Sequence, residues 1–204
     1  MVFSDSWVSS LTPKQKLAGQ IGLIALGVGA VGGIGYLIYK TATPSKPKRV
    51  WPVVPFRGAI PQSGLAAYGS PRAATAKMAA RNHAGVDLNA FKGDKIVAIS
   101  DGEVIGRLPG YEIGAGLQAV SIRHADADYI YAEIKLHDLV PGQKVKAGEV
   151  IGHVELNDVG RSMLHLEAWE TGTVPKSFTP WYAGSPKPKG LLEAPKMIAD
   201  IPVA

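Results

Sequence analysis

A short glycine-bounded unit occurs twice in this chain, and that repetition limits the folds open to it more than any other feature. Gly93-Asp-Lys-Ile-Val-Ala98, three residues, then Gly102-Glu-Val-Ile-Gly106 resembles Gly142-Gln-Lys-Val-Lys-Ala147 followed directly by Gly148-Glu-Val-Ile-Gly152. Each copy is a pair of β-branched runs around a glycine turn, the pattern of a hairpin-scale unit. A single such unit cannot enclose a core, so two copies predict a compact sandwich or barrel-like hybrid built by approximate duplication. Alternation of apolar and polar residues predicts strands over residues 95–99, 102–105, 118–123, 129–134, 150–154 and 164–169. The fold class expected is therefore mainly β and antiparallel, over residues 72–182.

The flanks differ in kind. Residues 1–16 are short and polar, and residues 17–39 form an apolar run whose one strongly polar side chain is Gln20. As a helix rising about 1.5 Å per residue, that run spans about 34 Å, enough to cross a bilayer core. It is too long for the apolar part of a typical cleaved leader, so a retained membrane anchor is expected. Ala25, Gly29 and Gly33 recur every four residues on one helical face, a small-residue stripe through which two copies can associate. Residues 40–71 hold Pro44, Pro47, Pro52, Pro55 and Pro61 before Pro71, and predict an extended spacer. Residues 183–204, with Pro186, Pro188, Pro195 and Pro202, predict a loose tail.

Charge and cysteine content exclude some functions. The net charge is +5, but residues 1–71 carry seven Lys/Arg against one Asp/Glu, whereas residues 72–182 carry twelve against fourteen. The basic excess flanks the apolar run and the folded part is mildly acidic, which argues against a nucleic-acid partner. With no cysteine in the chain, a metal site must be built from His, Asp or Glu. Taken literally, the charge rule puts the larger domain in the cytoplasm, but basic residues lie on both sides of the apolar run and the candidate site points outward, so the two signals conflict.

Candidate ligands stand in two places. His83 and Asp87 lie four apart in Asn82-His83-Ala84-Gly85-Val86-Asp87, and His165 lies on the alternating run Met163-Leu164-His165-Leu166-Glu167. Two imidazoles and a carboxylate are a zinc-type ligand set, and three protein ligands leave the open position of catalytic rather than structural zinc.

These motifs occur in a familiar order: His83-x-x-x-Asp87, Gly93 to Gly106, Ile122-Arg123-His124, Tyr131-Ala132-Glu133, the block from Val140 to Gly152, and Leu164-His165-Leu166-Glu167. Over residues 68–170 the chain resembles the lysostaphin/LytM-type zinc metallopeptidases, peptidase family M23. The resemblance implies an antiparallel β fold around a groove, zinc held by His83, Asp87 and His165, and hydrolysis of peptidoglycan peptides. It also exposes two departures. Glu133 stands where the family carries a histidine in its Tyr-Ala-His strand, and Met163 stands for the first histidine of its His-x-His pair. The resemblance assigns those two positions to the catalytic step, leaving Glu133 as a substitute base and Met163 without a proton to give. The expectation is a membrane-anchored, peptidoglycan-directed domain with weakened hydrolysis. Its setting is periplasmic, extracellular or in a virion membrane. The alternative is a catalytically silent envelope or virion scaffold, or wall-binding module, of the same fold. A lipoyl-like domain of an export adaptor also carries duplicated units after an anchor, but it leaves His83-x-x-x-Asp87 unexplained. His124, His137 and His153 are expected at the surface or in turns.

Overall fold

Antiparallel pairing organises the whole domain, and one strand is the axis of it. A computed structural model of the chain describes residues 48–75, 78–111 and 116–203. The expected membrane helix at 17–39, its Ala25, Gly29 and Gly33 stripe, and residues 40–47 of the expected spacer lie outside the described residues. Among the described residues, no helix is long and apolar enough to cross a membrane.

The strands are β1 (Val53–Val54), β2 (Pro71–Arg72), β3 (Arg81–Asn82), β4 (Val86–Asn89), β5 (Lys95–Val97), β6 (Gly102–Arg107) and β7 (Gln118–His124). They continue as β8 (Asp128–Leu136), β9 (Lys144–Val145), β10 (Val150–Val154), β11 (Met163–Trp169), β12 (Trp181–Tyr182) and β13 (Leu191–Leu192), followed by helix α1 (Ala194–Ile198). The main sheet runs β1-β5-β10-β8-β7-β6-β9, with β11 joining β8 to β4 and β13. A small sheet β12-β3-β2 stands beside it.

The duplication has a structural meaning. β5 of the first copy pairs with β10 of the second, and β6 of the first pairs with β9 of the second. The two units exchange strands instead of folding as separate hairpins, so neither is complete alone.

Strand β8 explains where the core sits. Successive side chains of a strand point to opposite faces; Tyr129 and Tyr131 enter the larger apolar cluster with Ile96, Ile122 and Leu166. Ile130 and Ala132 face a second cluster with Leu108, Tyr111 and Trp169. Both faces are covered, which is why β8 reads as a nearly continuous apolar run. β8 also changes neighbour along its length. Tyr129 to Ala132 pair with β11, whereas Ile134 to Leu136 pair with β10. Glu133 stands at the exchange with φ of 63°, and the β7 register shifts at the same place. Such a bulge lets the chain turn between two partners and re-aims the side chain there.

Two expectations about the flanks need correction. The described part of the supposed spacer belongs to the domain: Trp51 and Val53 are buried, and Val53 pairs with Ile96. The supposed loose tail does too. Leu191 and Leu192 pair with Trp169 and Ala168 of β11, and Leu191, Ala194, Ile198 and Ile201 are buried. Burying one large aliphatic side chain contributes about 1.5–3 kcal/mol, so a few well-spaced apolar residues outweigh the prolines around them. Arg49 joins both segments: it bonds Asp200 Oδ1 at 2.9 Å, the Met197 carbonyl at 2.6 Å and Tyr129 Oη at 3.2 Å.

Candidate metal centre

Strands β4 and β11 lie side by side in the register that sets His165 opposite Asp87. His83 enters from the turn before β4. Gly85 makes that turn possible: a Cβ there would sit 2.5 Å from the Leu166 carbonyl oxygen and 2.9 Å from the His165 ring. The glycine between the two ligands of His83-x-x-x-Asp87 is thus a requirement of close approach.

Three ligand atoms form a nearly equilateral triangle. His83 Nε2 is 3.0 Å from Asp87 Oδ1, His165 Nδ1 is 2.9 Å from the same oxygen, and the two nitrogens are 3.0 Å apart. Ligand atoms around a tetrahedral zinc with bonds of about 2.0–2.1 Å are separated by about 3.3 Å, so small adjustments fit the ion.

The outer partners decide which atoms carry the lone pairs. His83 Nδ1 lies 2.9 Å from the Ala67 carbonyl, which only accepts, so Nδ1 holds the proton and Nε2 the lone pair. His165 Nε2 lies 3.0 Å from Glu167 Oε1 and donates to it, leaving Nδ1 facing the triangle. Glu167 is fixed in turn by Tyr111 Oη and Trp169 Nε1, each donating at 2.9 Å. The other oxygen of Asp87 accepts from Arg72 Nη2 at 2.9 Å. The inward nitrogens of both imidazoles and a carboxylate oxygen therefore converge on one point, an arrangement that calls for a cation, either a proton on His165 Nδ1 or a metal ion, with the outer bonds typical of metal-ligating histidines.

The electrostatics agree. Burial opposes charge on His165, but its bonds to Asp87 and Glu167 outweigh burial and push its pKa up to about 10. Burial dominates at His83 and lowers its pKa. For Asp87 burial acts upward, yet its contacts with His165 and His83 hold its carboxyl below the ordinary carboxylate range. The triangle keeps its anion and attracts positive charge.

The two histidines of the centre line an open groove of about 350 Å³, together with Tyr111, Glu133, Arg72, Arg81 and Phe178. Glu133 thus shares the groove with the ligands, and burial raises its carboxyl pKa. Met163 precedes His165 by two residues on β11, one step further along, opposite Asn89. His137 is exposed at the surface as expected, and His153 is half-buried beside it. His124 is not: it is buried, bonded to Ser100 Oγ and Tyr131 Oη at 3.0 Å each. Arg72 and Arg81 carry no signal in the sequence, because only the pairing of β2 with β3 brings them together.

Residues 81–176 match the model of peptidase family M23. That stretch, just under half of the chain, is similar to an M23 domain. Solved structures similar to it include LytU, at 20% identity over 72% of this chain and 90% of that one, with a TM-score of 0.49. Csd3 of Helicobacter pylori is 27% identical over 60% of this chain, with a TM-score of 0.41. Lysostaphin of Staphylococcus simulans, an antimicrobial peptidase, is 21% identical over 50% of this chain and 41% of that one, also at 0.41. The match spans only 32% of the Csd3 chain. No curated protein matches. The M23 match begins at Arg81 and so includes both histidines and the aspartate of the triangle, whose ligand set can hold zinc.

Proposed function

We propose that this chain is a membrane-anchored zinc metallopeptidase of the cell or virion envelope, directed at peptidoglycan peptides and weakened in hydrolysis. The observation that carries the proposal is the convergence of His83 Nε2, Asp87 Oδ1 and His165 Nδ1 within 3.0 Å of one another, with both histidines lining a groove. M23 domains act on peptide cross-links of peptidoglycan, and the groove is of a size to take a short peptide.

His83, Asp87 and His165 would hold the ion, which when bound supplies the Lewis acidity that polarises an amide carbonyl and acidifies water. Glu167 and the Ala67 carbonyl keep the two imidazoles in the tautomers that face the ion. Arg72 balances the outer oxygen of Asp87. Glu133, with a carboxyl pKa raised by burial, is the group in the groove suited to accept a proton and deliver it to the leaving amine. Its positive φ is a local strain of the kind found where a side chain is held for a task. Met163 has no donor to offer developing negative charge, and loss of one such donor costs on the order of 10²–10³ in rate. In this reading residues 17–39 cross the membrane, self-associating through Ala25, Gly29 and Gly33, and hold the larger domain on the outer or virion side.

The replacement of both catalytic histidines, by Glu133 and Met163, favours a second reading: a zinc-holding scaffold or wall-binding module that cleaves nothing. Incubation of the purified, zinc-loaded full chain with peptidoglycan sacculi separates the two. Slow release of soluble peptide fragments, abolished by His165→Ala and strongly reduced by Glu133→Gln, supports the peptidase. Sedimentation with sacculi but no release supports the module.

A further inference from the structure

Two arginines stand directly opposite each other at the wall of the groove. Arg72 of β2 and Arg81 of β3 are cross-strand partners, so their side chains leave the same face of the small sheet, and both line the groove. Like charges in that position destabilise a sheet, and among the described residues only Asp87 pairs with either of them. Arg72 gives one nitrogen to Asp87, but among the described residues its buried Nε has no acceptor. The guanidinium of Arg81 is half-buried, and among the described residues it makes no hydrogen bond or ion pair; Glu133 influences it only through space. Buried donors without acceptors are rare in folded proteins and call for an explanation.

From this placement we infer that Arg72 and Arg81 form a subsite for a free carboxylate of the bound peptide, beside the metal centre. This rests on the proposed peptidoglycan-directed function and narrows it: the preferred ligand carries an acid group close to the bond that faces the ion. Guanidinium groups present donors in a fixed planar fork that matches a carboxylate. The neighbouring walls are Met78, Phe178 and Trp181, apolar surfaces suited to the small side chains of a short peptide. A carboxylate bridging the pair would satisfy Arg81, relieve the like-charge contact and leave the Arg72–Asp87 bond in place.

The test is equilibrium binding of N-acetyl-D-alanyl-D-alanine and of its C-terminal amide to the zinc-loaded full chain, with inorganic phosphate as competitor. The acid is expected to bind at least about tenfold more tightly than the amide. Arg81→Gln should abolish that preference without changing zinc content, and Arg81→Lys, a point charge without the fork, should restore only part of it. Equal binding of acid and amide, binding of neither, or an acid preference that survives Arg81→Gln would overturn the subsite. Displacement of the acid by phosphate at equal concentration would overturn the carboxylate assignment in favour of a phosphate ligand. Should Arg81→Gln fail to fold, the acid–amide comparison on the unaltered chain still decides. Sacculus fragments without acid preference would remove the subsite and leave the peptidase standing; acid preference without fragments would do the reverse.

Discussion

Glu167 accepts the Nε2 proton of His165 at 3.0 Å, and that one bond determines which nitrogen of His165 faces Asp87 and His83. The carboxylate is itself held by Tyr111 and Trp169, so the orientation of a metal ligand on β11 is set from the second apolar cluster. Glu167→Gln should weaken zinc affinity about 10–100-fold, the usual cost of altering a ligand's outer partner. Competition with a chromophoric chelator measures it. Unchanged affinity would show that His165 is oriented by packing alone.

Gly85 approaches the Leu166 carbonyl too closely to accept a side chain. Gly85→Ala should force β4 and β11 apart at His165 and remove zinc binding, with a stability loss of about 1–3 kcal/mol. Metal analysis together with urea unfolding checks both. Retention of zinc at wild-type affinity would mean that the turn before β4 yields more easily than its contacts indicate.

Glu133 occupies the left-handed region where β8 passes from β11 to β10. A non-glycine residue there costs about 1–2 kcal/mol. Glu133→Gly should therefore keep or raise stability by up to about 1 kcal/mol while eliminating fragment release. A loss of more than about 1 kcal/mol would show that the Glu133 carboxylate serves the fold.

Arg49 connects the residues before β1 to the segment around α1 through Met197, Asp200 and Tyr129. Arg49→Ala should lower unfolding stability by about 1–3 kcal/mol, the lower end reflecting the exposure of Asp200. Zinc content should be unchanged, because the contact lies away from the triangle. Denaturant titration checks the first expectation and metal analysis the second.

The longer strands were legible because β7, β8 and β11 alternate or run apolar for most of their length, while β6 and β10 share the repeated Gly-Glu-Val-Ile-Gly pattern. β4 was not, although it carries Asp87. Its Val86-Asp87-Leu88-Asn89 does alternate, but four residues are too short a run to tell a strand from a loop. β1, β2, β12 and β13 are two-residue pairings set among prolines, and their strand character comes from neighbours distant in sequence. The same limit applies at the metal centre. The residue types and the order of the motifs point to His83, Asp87 and His165, but the Ala67 carbonyl comes from the segment expected to be a spacer. The Arg72–Arg81 pair depends on a register that no local pattern states.

Zinc stoichiometry of the purified full chain, measured by elemental analysis beside His83→Ala, Asp87→Ala and His165→Ala, tests the central claim most directly. The expected result is close to one zinc per chain in the unaltered protein and a loss of at least about tenfold in affinity in each variant. An unaltered protein that binds no zinc, or variants that retain it undiminished, would contradict the assignment of the triangle as a metal centre.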